Sequence, residues 1–131
     1  MIYVPYLAIL AAFVLIHVPR IIVGQEMKKQ EGGYNNSDPR AQQMRLEGLG
    51  RRALAAHNNG FEAFGPFAVA VLACGQRGVK LEVVAAIAIG FVVVRSLYVA
   101  FYLADKPSAR SGVWTLGMLA TLALFVYAVI G

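Results

Sequence analysis

The chain has 131 residues, enough for one domain. Apolar residues make up 59% and charged residues 15%, a balance that excludes an ordinary soluble enzyme and points to a small polytopic membrane protein. The net charge of +5 sits mainly beside apolar blocks, where it fits topology and lipid headgroups rather than nucleic acid.

Residues Ile2 to about Gly24 form the first apolar block, long enough at 1.5 Å per residue to cross a bilayer. No basic segment of the signal-peptide kind precedes it, so this span is expected to remain in the mature chain. Pro5 lies near its start, Pro19 is expected to kink it, and Arg20 can snorkel toward the interface. His17 reads as a hydrogen-bonded residue within the bundle. Gln25 to Arg51 is the one long polar connection, with turn signals at Gly32-Gly33 and Asn35-Asn36-Ser37-Asp38-Pro39. It reads mostly as a solvated linker, with Ala41 to Leu49 a possible helix running into the second span.

The second span runs from about Arg52 to Cys74, the third from about Leu81 to Ala104, and the fourth from Val113 to Ile130. A short turn around Gln76 to Lys80 joins the second and third. A loop from Asp105 to Gly112 joins the third and fourth, and Trp114 reads as an interfacial anchor. The expected fold is therefore an all-α membrane protein, a four-transmembrane-helix bundle with up-down topology, forming one domain over 1–131. Cys74 is the only cysteine, so no intrachain disulfide is possible, and its apolar setting marks it as a packing residue. Basic residues are concentrated in the first and third loops. These loops are expected in the cytoplasm, with both termini outside, and a bacterial inner membrane is the expected location.

The second span carries His57, Asn58, Asn59 and Glu62, and an ionisable residue inside a bilayer is a functional-site candidate by default. Asn59 and Asn58 stand three and four residues before Glu62, on one helix face. Arg95, Tyr98 and Tyr102 share a face of the third span at i, i+3 and i+7. Helix rise puts Glu62 roughly 15 Å in from Arg52 and Arg95 roughly 14 Å in from Ala104, so the two charges are expected to pair, within one chain or across a subunit interface. With Arg52, Arg110, Ser111 and the His57–Asn59 run, they would line a cationic, hydroxyl-rich cavity for a small anionic ligand rich in carboxylates. The alternative is a polar network that only fixes helix packing. A third reading is a small transporter with Glu62 and Arg95 in its path. His17 and His57 lack a carboxylate cluster, and no metal site is expected.

The run from Arg52 to Pro66, with Asn59, Glu62 and Pro66 at its key positions, resembles the second-helix signature of the MAPEG family (membrane-associated proteins in eicosanoid and glutathione metabolism). Arg95, Tyr98 and Tyr102 resemble its third-helix pattern, and Arg110-Ser111 the end of its last loop. The resemblance covers essentially the whole chain. It implies a homotrimer of four-helix protomers that binds glutathione between subunits near the cytoplasmic side. It implies a glutathione-dependent transferase or peroxidase acting on lipophilic electrophiles or lipid hydroperoxides, among membrane lipids and without nucleic acid. Carried over, Asn58, Asn59, Glu62, Arg95, Tyr98 and Tyr102 would bind glutathione, and Arg110 with Ser111 would stabilise its thiolate. Relatives often carry arginine where this chain has Ala55 or Asn58, and a basic residue where it has Met27. The family also contains non-catalytic lipid-binding scaffolds, which is the alternative function.

Overall fold

The computed structural model describes residues 3–131. Among these the chain is all-helical: α1 (Val4–Lys28), α2 (Pro39–Met44), α3 (Gly48–Arg77), α4 (Leu81–Leu103) and α5 (Pro107–Ile130). The expected start of the first span at Ile2 lies outside the described residues. Helices α1, α4 and α5 are each long and apolar enough to cross a membrane. Helix α3, at 30 residues, is the longest, but its polar run keeps it out of that group.

The four long helices pack as a bundle, α1 mainly on α3 and α4 mainly on α5, around a core centred on Phe67, Val71, Ala88, Phe91 and Leu124. Phe67 and Phe91 stack face to face with centroids 3.8 Å apart, tying α3 to α4. Small residues let α1 and α3 approach closely, as in membrane bundles generally. A Cβ added to Gly60 would stand 3.2 Å from the Ile16 side chain and 3.4 Å from its Cα. Most of the apolar surface remains outside the core, including Leu10, Val14, Ile21, Leu116 and Leu122. Such an outward face suits hydrocarbon rather than water.

Two boundaries differ most from the expectation. Helix α2 stops at Met44 and does not run into α3, because the chain turns through Arg45 to Glu47 and enters α3 at Gly48 with φ +53°. Helix α5 begins at Pro107, six residues before the expected Val113, so Arg110 and Ser111 are helical rather than loop residues. Pro107 explains this: proline is pre-shaped for the first helical position, where no intrahelical N–H bond is needed. The Pro-Ser-Ala-Arg-Ser-Gly composition hid it. The turn between α4 and α5 is a Schellman ending, with Lys106 N–H donating to Phe101 O at 2.9 Å and Asp105 N–H to Tyr102 O at 3.2 Å. Asp105 takes the left-handed position at φ +57°, where glycine is usual.

The long polar connection is also more ordered than a solvated linker. Gln42 is buried at its centre. Its Nε2 donates to Met27 O and Gly33 O, at 3.0 and 2.8 Å, and its Oε1 accepts from Asn35 N–H at 2.8 Å. Three backbone groups thereby find partners on one side chain. Asp38 Oδ1 caps α2 by accepting from Ala41 N–H. Arg20 donates to the Tyr34 hydroxyl and so reaches this connection from α1.

Candidate functional site

Helix α3 brings its polar residues to the bundle on several faces, and only one of these meets α4. Arg95 lies on the buried face of α4, 5% exposed. Its Nη1 donates to Asn59 Oδ1 at 2.9 Å, and Asn59 Nδ2 donates to Glu62 Oε2 at 3.0 Å. The amide orientation follows from chemistry: a guanidinium only donates and a carboxylate only accepts, so the oxygen must face Arg95 and the nitrogen Glu62. The expected Glu62–Arg95 contact is therefore not made within one chain. Among the described residues the ion pair within 4 Å is Lys29–Glu26. Asn59 is one turn nearer Arg95 and fills the gap. Glu62 is exposed at the rim and keeps most of its acceptor capacity.

From Arg95 the site continues as alternating cations and rings. The Arg95 guanidinium carbon lies 4.0 Å from the Tyr98 ring centroid, and Tyr98 meets Tyr102 edge to face at 5.6 Å. Arg110, on the first turn of α5, holds its guanidinium 4.4 Å above the Tyr102 ring. The helical spacing of Arg95, Tyr98 and Tyr102 produces the α4 part of this stack, as the sequence pattern predicts. Each cation faces a π-system, which compensates charge without neutralising it. Arg110 is half-buried, so its outer edge remains available. Asn59, Tyr98, Tyr102, Arg110, Ser111, Trp114 and Thr115 surround an open cavity of about 440 Å³. That lies within the usual range for a small-ligand site.

Seven of the eight predicted site residues thus line this cavity or adjoin it through Asn59 and Tyr98: Asn59, Glu62, Arg95, Tyr98, Tyr102, Arg110 and Ser111. Ser111 lines it although its side chain is exposed, and its carbonyl accepts from Thr115 Oγ1 at 3.0 Å. Asn58 does not join them. It is exposed and lines neither this cavity nor the smaller one next to it, standing about 100° around α3 from Asn59.

Arg52, also expected in the cavity, is committed elsewhere. Its Nε and Nη2 both donate to Leu103 O at 3.3 Å, capping the carboxyl end of α4. His57 turns toward α1, with Nδ1 2.8 Å from Ile16 O. A carbonyl only accepts, so Nδ1 carries the proton in that contact. His17 is exposed rather than hydrogen-bonded inside the bundle, and lies among Phe13, His57 and Phe61. Cys74 is buried as expected, with its thiol donating to Leu124 O at 3.2 Å. Trp114, which the sequence marks only as an interfacial anchor, lines the cavity as well. Its spacing of four residues from Arg110 and three from Ser111 was the signal that it shares their face.

None of the curated proteins compared with the chain matches it. The MAPEG family model matches residues 4–130, nearly the whole length. With this match and three membrane-length apolar helices, the chain belongs to the MAPEG family of membrane proteins.

Proposed function

We propose that the protein is an integral membrane glutathione-dependent transferase or peroxidase acting on lipophilic electrophiles or lipid hydroperoxides. The observation that carries this reading is Arg110, half-buried over Tyr102 at the edge of the 440 Å³ cavity. A fixed cation beside a thiol favours its thiolate, and the thiolate is the nucleophile. Glu62, held by Asn59, is a carboxylate free to receive the ammonium of glutathione. Arg95 positions Asn59, and Tyr98, Tyr102 and Ser111 wall the remaining volume.

In conjugation the thiolate sulfur bonds to the electrophilic carbon while the leaving group departs with its electron pair. In peroxide reduction the sulfur attacks the distal oxygen, the O–O bond breaks, and the alkoxide takes a proton to leave as the alcohol. A second glutathione then closes the disulfide and releases the sulfenic oxygen as water. Membership in a family that includes such enzymes supports this reading.

The working unit is a homotrimer of four-span protomers. Asn58, Glu62, Gly65, Val69 and Leu72 form an exposed stripe on α3 at alternating intervals of four and three residues. That seam suits another helix, and a carboxylate left facing hydrocarbon would be costly. Basic residues beside α1, α3 and α5 favour the first and third loops in the cytoplasm of a bacterial inner membrane.

A non-catalytic, lipid-binding scaffold is the second reading, favoured by the lack of arginine at Ala55 and Asn58. Purified protein with millimolar glutathione and a chlorodinitrobenzene-type electrophile separates the two. Conjugation above the uncatalysed rate supports the enzyme, and its absence supports the scaffold.

A further inference from the structure

Two imidazoles that the cavity beside Arg110 does not use stand together between α1 and α3. The Nδ1–H of His57 donates to Ile16 O at 2.8 Å, which leaves the lone pair of its Nε2 for another partner. The accepting carbonyl belongs to the residue before His17, and the two rings lie 6.0 Å apart, centroid to centroid, tilted by 54°. An imidazole that gives one N–H to a backbone carbonyl and keeps the other nitrogen open is prepared as metal-binding histidines are. Phe13 and Phe61 flank the pair. His17 meets them edge on at 5.0 and 5.9 Å, and His57 meets Phe61 at 5.2 Å. His17 is roughly 16 Å along α1 from Lys28, near the middle of that helix.

We propose that His17 and His57 bind one cuprous ion between them, through one ring nitrogen of each. Spacing selects the geometry. With a metal–nitrogen bond of roughly 2 Å and roughly 1 Å from nitrogen to ring centre, two imidazoles on one ion have centroids roughly 6 Å apart when the ion is linear and roughly 5 Å when it is tetrahedral. The observed 6.0 Å fits the linear case. Cuprous copper accepts linear two-coordination, whereas structural zinc takes four ligands. The ligand set agrees, because no third His, Cys, Asp or Glu joins the pair among the described residues. Depth selects the charge. The Born cost of removing an ion from water grows with the square of its charge, so a monovalent ion costs about one quarter of a divalent one. An exposed imidazole at this depth needs a partner, and the ion supplies one to both rings.

The experiment uses the full-length protein in detergent, without glutathione, carrying Cys74→Ser to remove its only thiol. Cuprous copper is supplied anaerobically as its bicinchoninate complex, and loss of the complex's colour reports transfer to the protein. One copper per chain is expected, with a shell of two imidazole nitrogens by X-ray absorption. His57→Gln keeps a donor for Ile16 O, and His17→Phe suits the neighbouring phenyl rings, so both variants should fold. Each should weaken copper binding by more than the roughly 10–100-fold that loss of an outer-shell partner costs. No transfer to the parent protein, undiminished transfer to either histidine variant, or tighter binding of zinc than of copper overturns the assignment. The X-ray absorption measurement decides the matter even if a variant fails to fold, since any shell other than two imidazoles on the parent protein also overturns it.

Discussion

Asn59 stands between Arg95 and Glu62, accepting from the guanidinium at 2.9 Å and donating to the carboxylate at 3.0 Å. The amide does two things that a direct ion pair would not. It compensates a buried cation without consuming the carboxylate, and it holds that carboxylate beside a smaller cavity of about 220 Å³ between α3, α4 and α5. Asn59→Leu removes the acceptor from Arg95 and the donor from Glu62. Because a hydrogen bond to a charged group is worth about 1.5–3 kcal/mol, this variant should lose that order of stability and weaken glutathione binding. Thermal unfolding in detergent and titration calorimetry check both effects. A fully stable variant with unchanged affinity would mean that Asn59 carries neither role.

Arg110→Ala should lower the turnover rate far more than it lowers glutathione affinity. Removing one preorganised group that stabilises developing anionic charge typically costs about 10²–10³ in turnover. Arg110→Lys should recover part of the loss, since the charge remains while the planar contact with Tyr102 is lost. Steady-state kinetics on both variants distinguishes this from a packing role, in which Lys and Ala would behave alike.

Arg52→Ala tests a structural assignment made against the sequence expectation. The double donation to Leu103 O places a cation at the carboxyl end of α4, an arrangement worth up to about 2 kcal/mol when partly buried. The variant should unfold at a lower temperature yet keep its glutathione affinity. A selective loss of affinity would return Arg52 to the binding site.

Asp105 holds a left-handed backbone at φ +57°, which costs an L-residue roughly 1–2 kcal/mol. Asp105→Gly should therefore raise the unfolding temperature, and Asp105→Val should lower it. If both move it the same way, the turn owes its stability to the carboxylate rather than to backbone geometry.

Much of the bundle was legible because apolar runs of membrane length are hard to mistake, and because Arg95, Tyr98 and Tyr102 repeat at helical spacing. What escaped had specific causes. Pro107 and Ser108 look like loop residues and are a helix start, which moved Arg110 onto α5. The depth estimate brought Glu62 and Arg95 to the same region but could not resolve one helical turn, and within that turn Asn59 intervenes. Arg52 and His57 belong to the same polar run as Asn59, yet rotation about α3 sends one to the end of α4 and the other to α1. Spacing within one helix gives a face, and only the neighbouring helices decide what that face meets. The smaller cavity beside Trp114 has no local signal at all, since three separate helices make it.

If Arg110 and its neighbours hold the glutathione thiol as a thiolate, the ultraviolet difference spectrum on adding glutathione to the purified protein reports it. A saturable thiolate band at neutral pH in wild type, lost in Arg110→Ala while glutathione binding persists, is the expected result. Binding without a thiolate band in wild type, or an equal band in Arg110→Ala, would contradict it.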